Sequence, residues 1–194
     1  MSAPFPATTM PDRDWWALLW PDPKGVLQQL GIQPDMTVLD LWCSDGYFTA
    51  PLAKLVDGKV YALDLDLEMI GQAKVEAFQQ GVLVRRWLCA DAREISKLLR
   101  EPVDYVLMTN TFHGVPDQTG LVRAVLTTLR RQGLFGLVNW LPLPREETNV
   151  LNQPRGPRTE MRMAFEAVND VVASEGFRCV DLVELPPYHY GAVF

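Results

Sequence analysis

From residue 37 onward, short apolar runs alternate with longer amphipathic segments, and this alternation most constrains the fold. Five strands are predicted from apolar, β-branched runs at residues 37–41, 59–64, 82–88, 103–108 and 134–139. Four helices are predicted between them, at residues 47–56, 67–80, 92–100 and 118–131. Repeated β–α units of this length favour a parallel sheet with helices on both faces. The sequence therefore predicts a doubly wound α/β fold.

The C-terminal part of the chain departs from this alternation. A helix is predicted at residues 163–175, followed by strands at residues 177–185 and 189–194 with only a short proline-containing link between them. Strands joined by so short a link pair antiparallel. We therefore expect a seven-stranded, mostly parallel sheet in the order 3-2-1-4-5-7-6, ending in a C-terminal antiparallel hairpin with only strand seven reversed.

The N-terminal part is predicted to be a tail with two short helices, over residues 1–30. In the first helix Asp14 is the expected N-cap, and Trp15, Trp16 and Trp20 could either cover a ligand pocket or pack in the core. The whole chain, residues 1–194, is expected to form a single domain, because no internal repeat or second domain is visible.

Composition excludes several classes of partner and site. The chain has 194 residues and a formal net charge of -6, which argues against nucleic acid as the main partner. No stretch has the uninterrupted apolar length of a membrane span, and no signal peptide is visible, so we expect a cytoplasmic protein with no membrane partner. Cys43, Cys89 and Cys179 lie far apart, so neither a metal site nor a disulfide framework is indicated.

Acidic residues and one glycine follow the first three predicted strands, where ligands of such sheets bind. Asp40 lies near the end of the first strand, before the turn that contains Gly46. Asp64 ends the second strand and could accept the hydroxyl groups of a ribose. Asp91 ends the third strand and is placed to meet an exocyclic amine. Asp66 is expected to serve only as a helix cap.

These segments together resemble the class I S-adenosylmethionine-dependent methyltransferases. Residues 37–49 resemble the first motif of that family, whose usual form is V-L-D-L-G-C-G-x-G. Residues 63–69 resemble the second motif, residues 90–92 the third, and residues 129–135 the family's L-K-P-G-G-x-L/F. The four motifs occur in the correct order and spacing. The resemblance covers roughly residues 30–194 and implies a Rossmann-like fold with S-adenosylmethionine as the cofactor.

The resemblance also implies roles for individual residues. The loop from Ser44 to Gly46 would approach the methionine moiety, Asp64 would bind the ribose and Leu65 would pack on the adenine. Asp91, followed by Ala92, would meet the adenine amine, and Asn110 would line the methyl-transfer face. The expected cofactor site thus comprises Asp40, Trp42, Ser44, Gly46, Asp64, Leu65, Asp91, Ala92 and Asn110, with Asp40 more a loop organiser than a direct ligand.

The loop departs from the family pattern at two glycine positions, which are occupied by Trp42 and Ser44. Glycine allows positive φ and close backbone approach, and tryptophan favours neither. One interpretation is that the indole turns aside or packs on the ligand, so that cofactor binding survives. The other is that the site is degraded and the fold serves another purpose.

Methyl transfer from a sulfonium is a direct displacement that needs alignment, and a base only where the acceptor must lose a proton. Two histidines are the candidate catalytic residues: His113 in the loop after strand four, and His189 beside two tyrosines at the final turn. Each could equally be structural. We expect residues 140–160 to form a lid segment, because connections of this length usually have a function.

The arginines in and just after the lid segment have two possible explanations. Arg145, Arg155, Arg158 and Arg162 could grip an acidic substrate. The explanation that we favour from sequence is a solvated loop with internal ion pairs to Glu146, Glu147 and Glu160.

The function that these features favour is an enzyme that methylates a small molecule, since no added module for a macromolecular substrate is apparent. A non-catalytic binding or partner protein is the alternative that Trp42 and Ser44 support. An NAD-dependent dehydrogenase shares the acid after strand two, but the G-x-G-x-x-G loop of that class does not occur here. The acceptor and the oligomeric state are not indicated.

Overall fold

A computed structural model describes residues 13–194. Its main sheet has seven strands in the order β3-β2-β1-β4-β5-β9-β8. The strands are β1 Val38–Leu41, β2 Val60–Asp64, β3 Arg86–Cys89, β4 Val103–Thr109, β5 Leu129–Trp140, β8 Asp181–Leu185 and β9 His189–Val193. The first five run parallel, and β9 pairs antiparallel with both β5 and β8. The predicted order and the reversed last strand are confirmed.

The helices alternate with these strands and cover both faces of the sheet. They are α1 Arg13–Leu19, α2 Pro23–Gln29, α3 Thr49–Leu55, α4 Leu67–Gln79, α5 Ile95–Leu98, α6 Gln118–Thr128 and α7 Phe165–Ser174. One apolar cluster joins the sheet to α1–α4, through buried residues such as Trp20, Leu27, Leu52 and Ile70. A second cluster joins the other face to α5–α7, through Ile95, Val122 and Val168. This two-layered burial is the physical reason for the doubly wound fold.

The order of strands places the candidate site. β1 lies at the centre, with Val38 paired to Val60 of β2 on one side and to Tyr105 of β4 on the other. All four residues of β1 are buried, as the short apolar run predicts for an internal parallel strand. The crevice where the chain order reverses therefore lies at the carboxyl ends of β1 and β4.

Several predicted boundaries were wrong. The strand expected at residues 134–139 begins at Leu129, which pairs with Val103, so α6 ends earlier than expected. Gln132, at φ 67°, lies inside this strand, where the register with β4 shifts. β3 begins only at Arg86, because residues 82–85 do not pair with β2. Residues 92–100 form a 3-10 turn, Ala92–Glu94, followed by the single-turn helix α5.

At the N-terminus, Asp14 lies in the first turn of α1 rather than before it, so its predicted role as N-cap was wrong. Its carboxylate accepts a hydrogen bond from the backbone of Trp15. The predicted cap at Asp66 is confirmed, because its side chain accepts from the Glu68 backbone N–H. The part of the expected tail before Arg13 lies outside the described residues.

The lid segment has local structure of its own. A 3-10 turn at Arg145–Glu147 precedes a small antiparallel pair, β6 Asn149–Val150 and β7 Gln153–Pro154. A second 3-10 turn follows at Thr159–Met161. Within residues 13–194, no helix has the length and apolar character needed to span a bilayer.

Candidate cofactor and acceptor site

The loop between β1 and α3 keeps the backbone conformation of a glycine-rich turn without most of the glycines. Trp42 and Ser44 have φ values of 61° and 49°, and Gly46 has a φ of 86°. These are the three positions that carry glycine in the motif which the sequence resembles. At Gly46 a Cβ would lie 2.8 Å from Cα of Ala73 in α4, so only glycine fits without displacement. The loop thus passes close against α4.

Hydrogen bonds from β2 fix this loop. The Cys43 backbone N–H donates to the Leu63 carbonyl at 2.9 Å, which extends the pairing of β1 with β2 by one step. The Ser44 N–H donates to Oδ2 of Asp64 at 2.9 Å. The Gly46 N–H donates back to the Cys43 carbonyl at 3.0 Å and closes the turn. The left-handed residues are therefore held by their neighbours, as strained backbone requires.

Asp64 connects the loop to the turn after β2. Its second carboxylate oxygen accepts from the Asp66 N–H at 2.9 Å, and the residue is 2% exposed. Burial raises the pKa of this carboxyl, against the lowering effect of its backbone hydrogen bonds. The carboxylate lies at the expected strand end, next to half-buried Leu65. Its roles in loop geometry and in ribose binding are compatible, and the second remains a prediction.

Asp91 lies at the end of β3, as predicted, but its carboxylate already has a partner. It caps the Ala92–Glu94 turn by accepting from the Arg93 N–H at 2.9 Å, and it also pairs with the Arg93 guanidinium. The hydrogen bond with the Arg93 side chain is the largest cause that lowers the pKa of Asp91. Ala92 is buried behind it. A contact with adenine would have to share this carboxylate with Arg93.

Asp40 is a buried acid at the floor of the site. It is 1% exposed and accepts from Oγ1 of Thr49 at 2.6 Å. Burial raises its pKa to about 7, and the nearby charge of Asp64 acts in the same direction. The hydrogen bond to Thr49 supports the expectation that Asp40 organises the loop. Thr49 has no signal in the sequence that would mark it as a site residue.

A cavity of about 60 Å³ lies beside the loop. Its walls come from Asp40, Trp42 and Ser44, from Thr109–Thr111 at the end of β4, and from Trp16 of α1. Both amide atoms of Asn110 and Oγ1 of Thr111 are shielded from solvent and have no hydrogen-bond partner among residues 13–194. Ligand pockets usually measure about 300–1,000 Å³, so a nucleoside ligand would need the two indoles to move. The unpaired polar atoms of Asn110 and Thr111 suit such a ligand, and the small volume shows that the site is closed.

The helix α1 closes the site from above. The Arg13 guanidinium contacts the Asp45 carboxylate at 2.5 Å and the Glu76 carboxylate at 2.6 Å. The Tyr47 hydroxyl donates to the Trp20 carbonyl at 2.6 Å. Trp16 is buried and also lines the cavity, so both expectations for the tryptophans, covering and packing, are met at this residue. Arg13 was missed from sequence because a single arginine at the start of a short helix carries no pattern.

The two candidate histidines occupy different places. His189 is 2% exposed and packs against Trp20 and Trp140, with ring centroids 4.5 and 4.2 Å away. Its ring centroid lies 6.4 Å from that of Trp16, which lines the cavity. His113 lies in the 3-10 turn Phe112–Gly114 after β4. Burial is the main cause that lowers the pKa of both, and neither ring lines the cavity. Their catalytic roles remain predictions.

The tyrosines beside His189 hold neighbouring segments in place. The Tyr188 hydroxyl donates to the Asn149 carbonyl at 3.0 Å, in the lid segment. The Tyr190 hydroxyl donates to the Met163 carbonyl at 3.0 Å. Burial raises the pKa of Tyr190 to about 12. The final hairpin therefore holds the lid segment at Asn149 and the chain just after it at Met163.

The explanation of the lid arginines by internal ion pairs was wrong for most of them. Within the described residues only Arg158 pairs with a lid acid, Glu160, at 4.0 Å. Arg162 instead donates to the carbonyls of Pro157 and Arg155 and to Oγ1 of Thr148. Carbonyl oxygens of a turning backbone provide these acceptors, and sequence periodicity does not reveal them. Among residues 13–194, no cluster of three metal-ligating side chains occurs.

Comparison with known proteins gives matches in sequence and in structure. Residues 38–133 match a family model described as a methyltransferase domain. The chain is similar to the 23S rRNA (uracil(1939)-C(5))-methyltransferase RlmD of Marinomonas posidonica, with 29% identity over 123 residues. That alignment covers 57% of this chain and 28% of the relative, so the chain spans little more than a quarter of that protein's length.

Two solved structures illustrate the shared fold. A SAM dependent methyltransferase from Aquifex aeolicus has a TM-score of 0.74 and 24% identity, covering 91% of this chain and 90% of its own. Magnesium protoporphyrin IX methyltransferase from Synechocystis, with bound SAM, has a TM-score of 0.66 and 15% identity, covering 93% and 89%. Identities this low establish the fold, not the acceptor.

Proposed function

The chain belongs to the class I S-adenosylmethionine-dependent methyltransferases, as its four motifs predicted, and we propose that it methylates a small molecule. The observation that carries this proposal is the loop of residues 42–46. It keeps three left-handed residues although two of the family's glycines are replaced. Its backbone therefore has the shape that the family's glycine motif provides, and this supports a working cofactor loop. The bound cofactor would supply an electrophilic methyl group, and the protein would supply alignment.

In this proposal, different residues bind different parts of the cofactor and the acceptor. The backbone of the loop, with Gly46 tight against α4, would accommodate the methionine moiety. Asp64 and Leu65 would hold the ribose and the adenine. Asn110, whose amide atoms have no partner in the described chain, would orient the acceptor near the donor. No base is assigned, because an acceptor without a proton to lose needs none.

A small acceptor is favoured over RNA by the charge of the chain. The chain has a formal net charge of -6, whereas a protein that tracks phosphates usually carries a basic face. The relative from Marinomonas posidonica acts on 23S rRNA, but most of that protein lies outside the alignment. RNA therefore remains the rival acceptor. If RNA is the acceptor, the protein should bind single-stranded RNA with an affinity that falls steeply as the salt concentration rises. A filter-binding assay would detect this.

Calorimetry with S-adenosylmethionine and S-adenosylhomocysteine tests the proposal directly. We expect both to bind, and Asp64→Ala to weaken binding by about 1–3 kcal/mol, the scale for charge-assisted hydrogen bonds. The matched control is Asp170→Ala, which removes an exposed acid from α7 on the other face of the sheet. Affinities should be compared where thermal melting shows each variant folded, because Asp64 also holds the loop.

A non-catalytic role is the second candidate, and the cavity of about 60 Å³ favours it. It predicts that the unmodified protein binds neither cofactor form. If binding is found, transfer of a tritium-labelled methyl group to the low-molecular-weight fraction of a cell extract would identify an acceptor. Label that appears only in RNA would overturn the small-molecule assignment.

A further inference from the structure

A buried aromatic cluster lies between α1 and the lid segment, and cationic side chains pack on it. Trp16 contacts Trp20 with ring centroids 6.0 Å apart, and His189 packs between Trp20 and Trp140. The guanidinium carbon of Arg162 lies 5.1 Å from the Trp140 ring. The Arg155 guanidinium lies 5.2 Å from the ring of Trp15, which contacts Trp16. The arginines and the cavity wall therefore belong to one packed unit.

This unit is rich in hydrogen-bond donors that lack acceptors. The indole nitrogens of Trp16 and Trp20, Nη1 of Arg162 and Nε of Arg155 are all shielded from solvent. None of these atoms has a hydrogen-bond acceptor within residues 13–194. A buried donor without an acceptor destabilises the fold, and a charged donor does so more strongly. Four such donors in one cluster, beside the two likewise unpaired ring nitrogens of His189, indicate a place built for a polar ligand that supplies acceptors.

The charge of the cluster specifies that ligand further. Arg162 is 8% exposed, and in the described part of the chain no carboxylate forms an ion pair with Arg162 or Arg155. Burial is the main cause that lowers the pKa of Arg162, and the charge of Arg145 adds to it. A guanidinium N–H group can donate to a carboxylate, and Nη1 of Arg162 is the nitrogen left for this because Nε and Nη2 already donate within the lid segment. The two indoles add neutral donors, so a small anion is the complementary group.

We propose that the methyl acceptor carries a carboxylate, bound by Arg162 with the indole N–H groups of Trp16 and Trp20 as further donors. This rests on the proposed function, because Trp16 also lines the cavity beside the cofactor loop and Asn110. The acceptor would thus extend from that cavity into the aromatic cluster. A phosphate of RNA is a poor match, since a polymer backbone cannot enter a cluster this buried.

Entry to the cluster requires α1 to move, and the polar contacts of α1 permit this. Arg13 holds α1 to Asp45 and Glu76 by ion pairs in which the Arg13 side chain is 44% exposed, whereas those of Asp45 and Glu76 are 5% and 15% exposed. Ion pairs exposed to water contribute little to stability. Opening at α1 would move Trp16, Trp20 and Arg13 together, and it would have to expose the buried rings of the two tryptophans.

The test uses benzoate and benzamide, which share a ring and differ in charge. The full chain is titrated with S-adenosylhomocysteine first, and each probe is then measured by calorimetry with and without it. We expect benzoate to bind at least tenfold more tightly than benzamide, a difference of about 1.4 kcal/mol. Failure of S-adenosylhomocysteine to bind would refute the proposed function, whereas equal affinities for the two probes would refute the carboxylate site.

Three variants assign the preference to named atoms. Arg162→Gln should abolish the preference for benzoate, and Trp16→Phe should weaken benzoate about fivefold while keeping an aromatic ring. Arg158→Gln is the control, because Arg158 is 81% exposed and pairs with Glu160. If Arg162→Gln loosens the lid segment, the result for Trp16→Phe decides whether the carboxylate site exists. A preference for benzoate that survives both Arg162→Gln and Trp16→Phe would overturn the proposal. So would loss of benzoate binding only in Arg158→Gln, or displacement of benzoate by single-stranded RNA.

Discussion

Replacing Trp42 by glycine separates the backbone of the cofactor loop from the indole that departs from the family. Trp42 has a φ of 61° and is 6% exposed, within the apolar cluster beneath α5–α7. Relief of the left-handed strain should contribute about 1–2 kcal/mol, and the added freedom of glycine should cost about 0.5–1 kcal/mol. Loss of a buried indole costs about 3–5 kcal/mol. The sum is a loss of about 3 kcal/mol in the free energy of unfolding.

Ser44→Gly is the matched control for the backbone contribution. Ser44 has a φ of 49° in the same loop, but its side chain is small and half-buried. Only the two backbone effects apply, so its stability should rise by up to about 1.5 kcal/mol. Urea denaturation of both variants then gives the contribution of the indole by difference.

Cofactor affinity is the result that decides the role of Trp42. Since the indole lines a cavity of only about 60 Å³, its removal should leave the affinity for S-adenosylmethionine unchanged or increase it. Calorimetry is to be run at a temperature where the melting curve shows the variant fully folded. A tenfold or greater loss of affinity in that folded variant, about 1.4 kcal/mol, would show that the indole packs on the ligand and that this reasoning is wrong.

Two further changes test Gly46 and Asp40. Gly46→Ala should lower the free energy of unfolding by about 1–3 kcal/mol more than Gly31→Ala, because both have positive φ but only at Gly46 would a Cβ meet a neighbour. Equal losses in urea denaturation would contradict the close approach to α4. Asp40, with its pKa raised from 3.8 to about 7, keeps a proton that the unfolded chain releases, so stability should fall as pH rises between those values. Asp40→Asn should remove this fall, a gain of at most about 4 kcal/mol at pH 8, and an unchanged difference between pH 5 and pH 8 would count against the buried neutral acid.

The sheet could be predicted from sequence because its signals are local. Buried parallel strands require short apolar runs, and the missing helix before His189 fixes the direction of the last strand. The boundaries were less accurate where pairing decides them. Leu129 joins β5 because Val103 lies opposite, and its own sequence continues the pattern of α6. The strand therefore extends into residues that look helical.

The position of the candidate site was predictable, but its contacts were not. The ends of β1, β2 and β3 carry Asp40, Asp64 and Asp91 at the expected edge of the sheet. Their partners, Thr49 for Asp40 and Arg93 for Asp91, follow from side-chain directions that periodicity does not encode. The ion pairs of Arg13 join residues 32 and 63 positions apart, and a single sequence gives no signal for such long-range contacts.

The cofactor loop shows what a glycine motif stands for. The sequence pattern treats glycine as the requirement, whereas the structure shows that the requirement is positive φ at three alternate positions. Glycine adopts positive φ with the least strain. The hydrogen bonds of Cys43 with Leu63 and of Ser44 with Asp64 impose the same conformation on other residues too. Only at Gly46 does a second demand, the contact with Ala73, exclude every side chain. Gly46 is therefore kept because both packing and backbone conformation require glycine there. At Trp42 and Ser44 only the backbone conformation favours glycine, so other residues can occupy these positions.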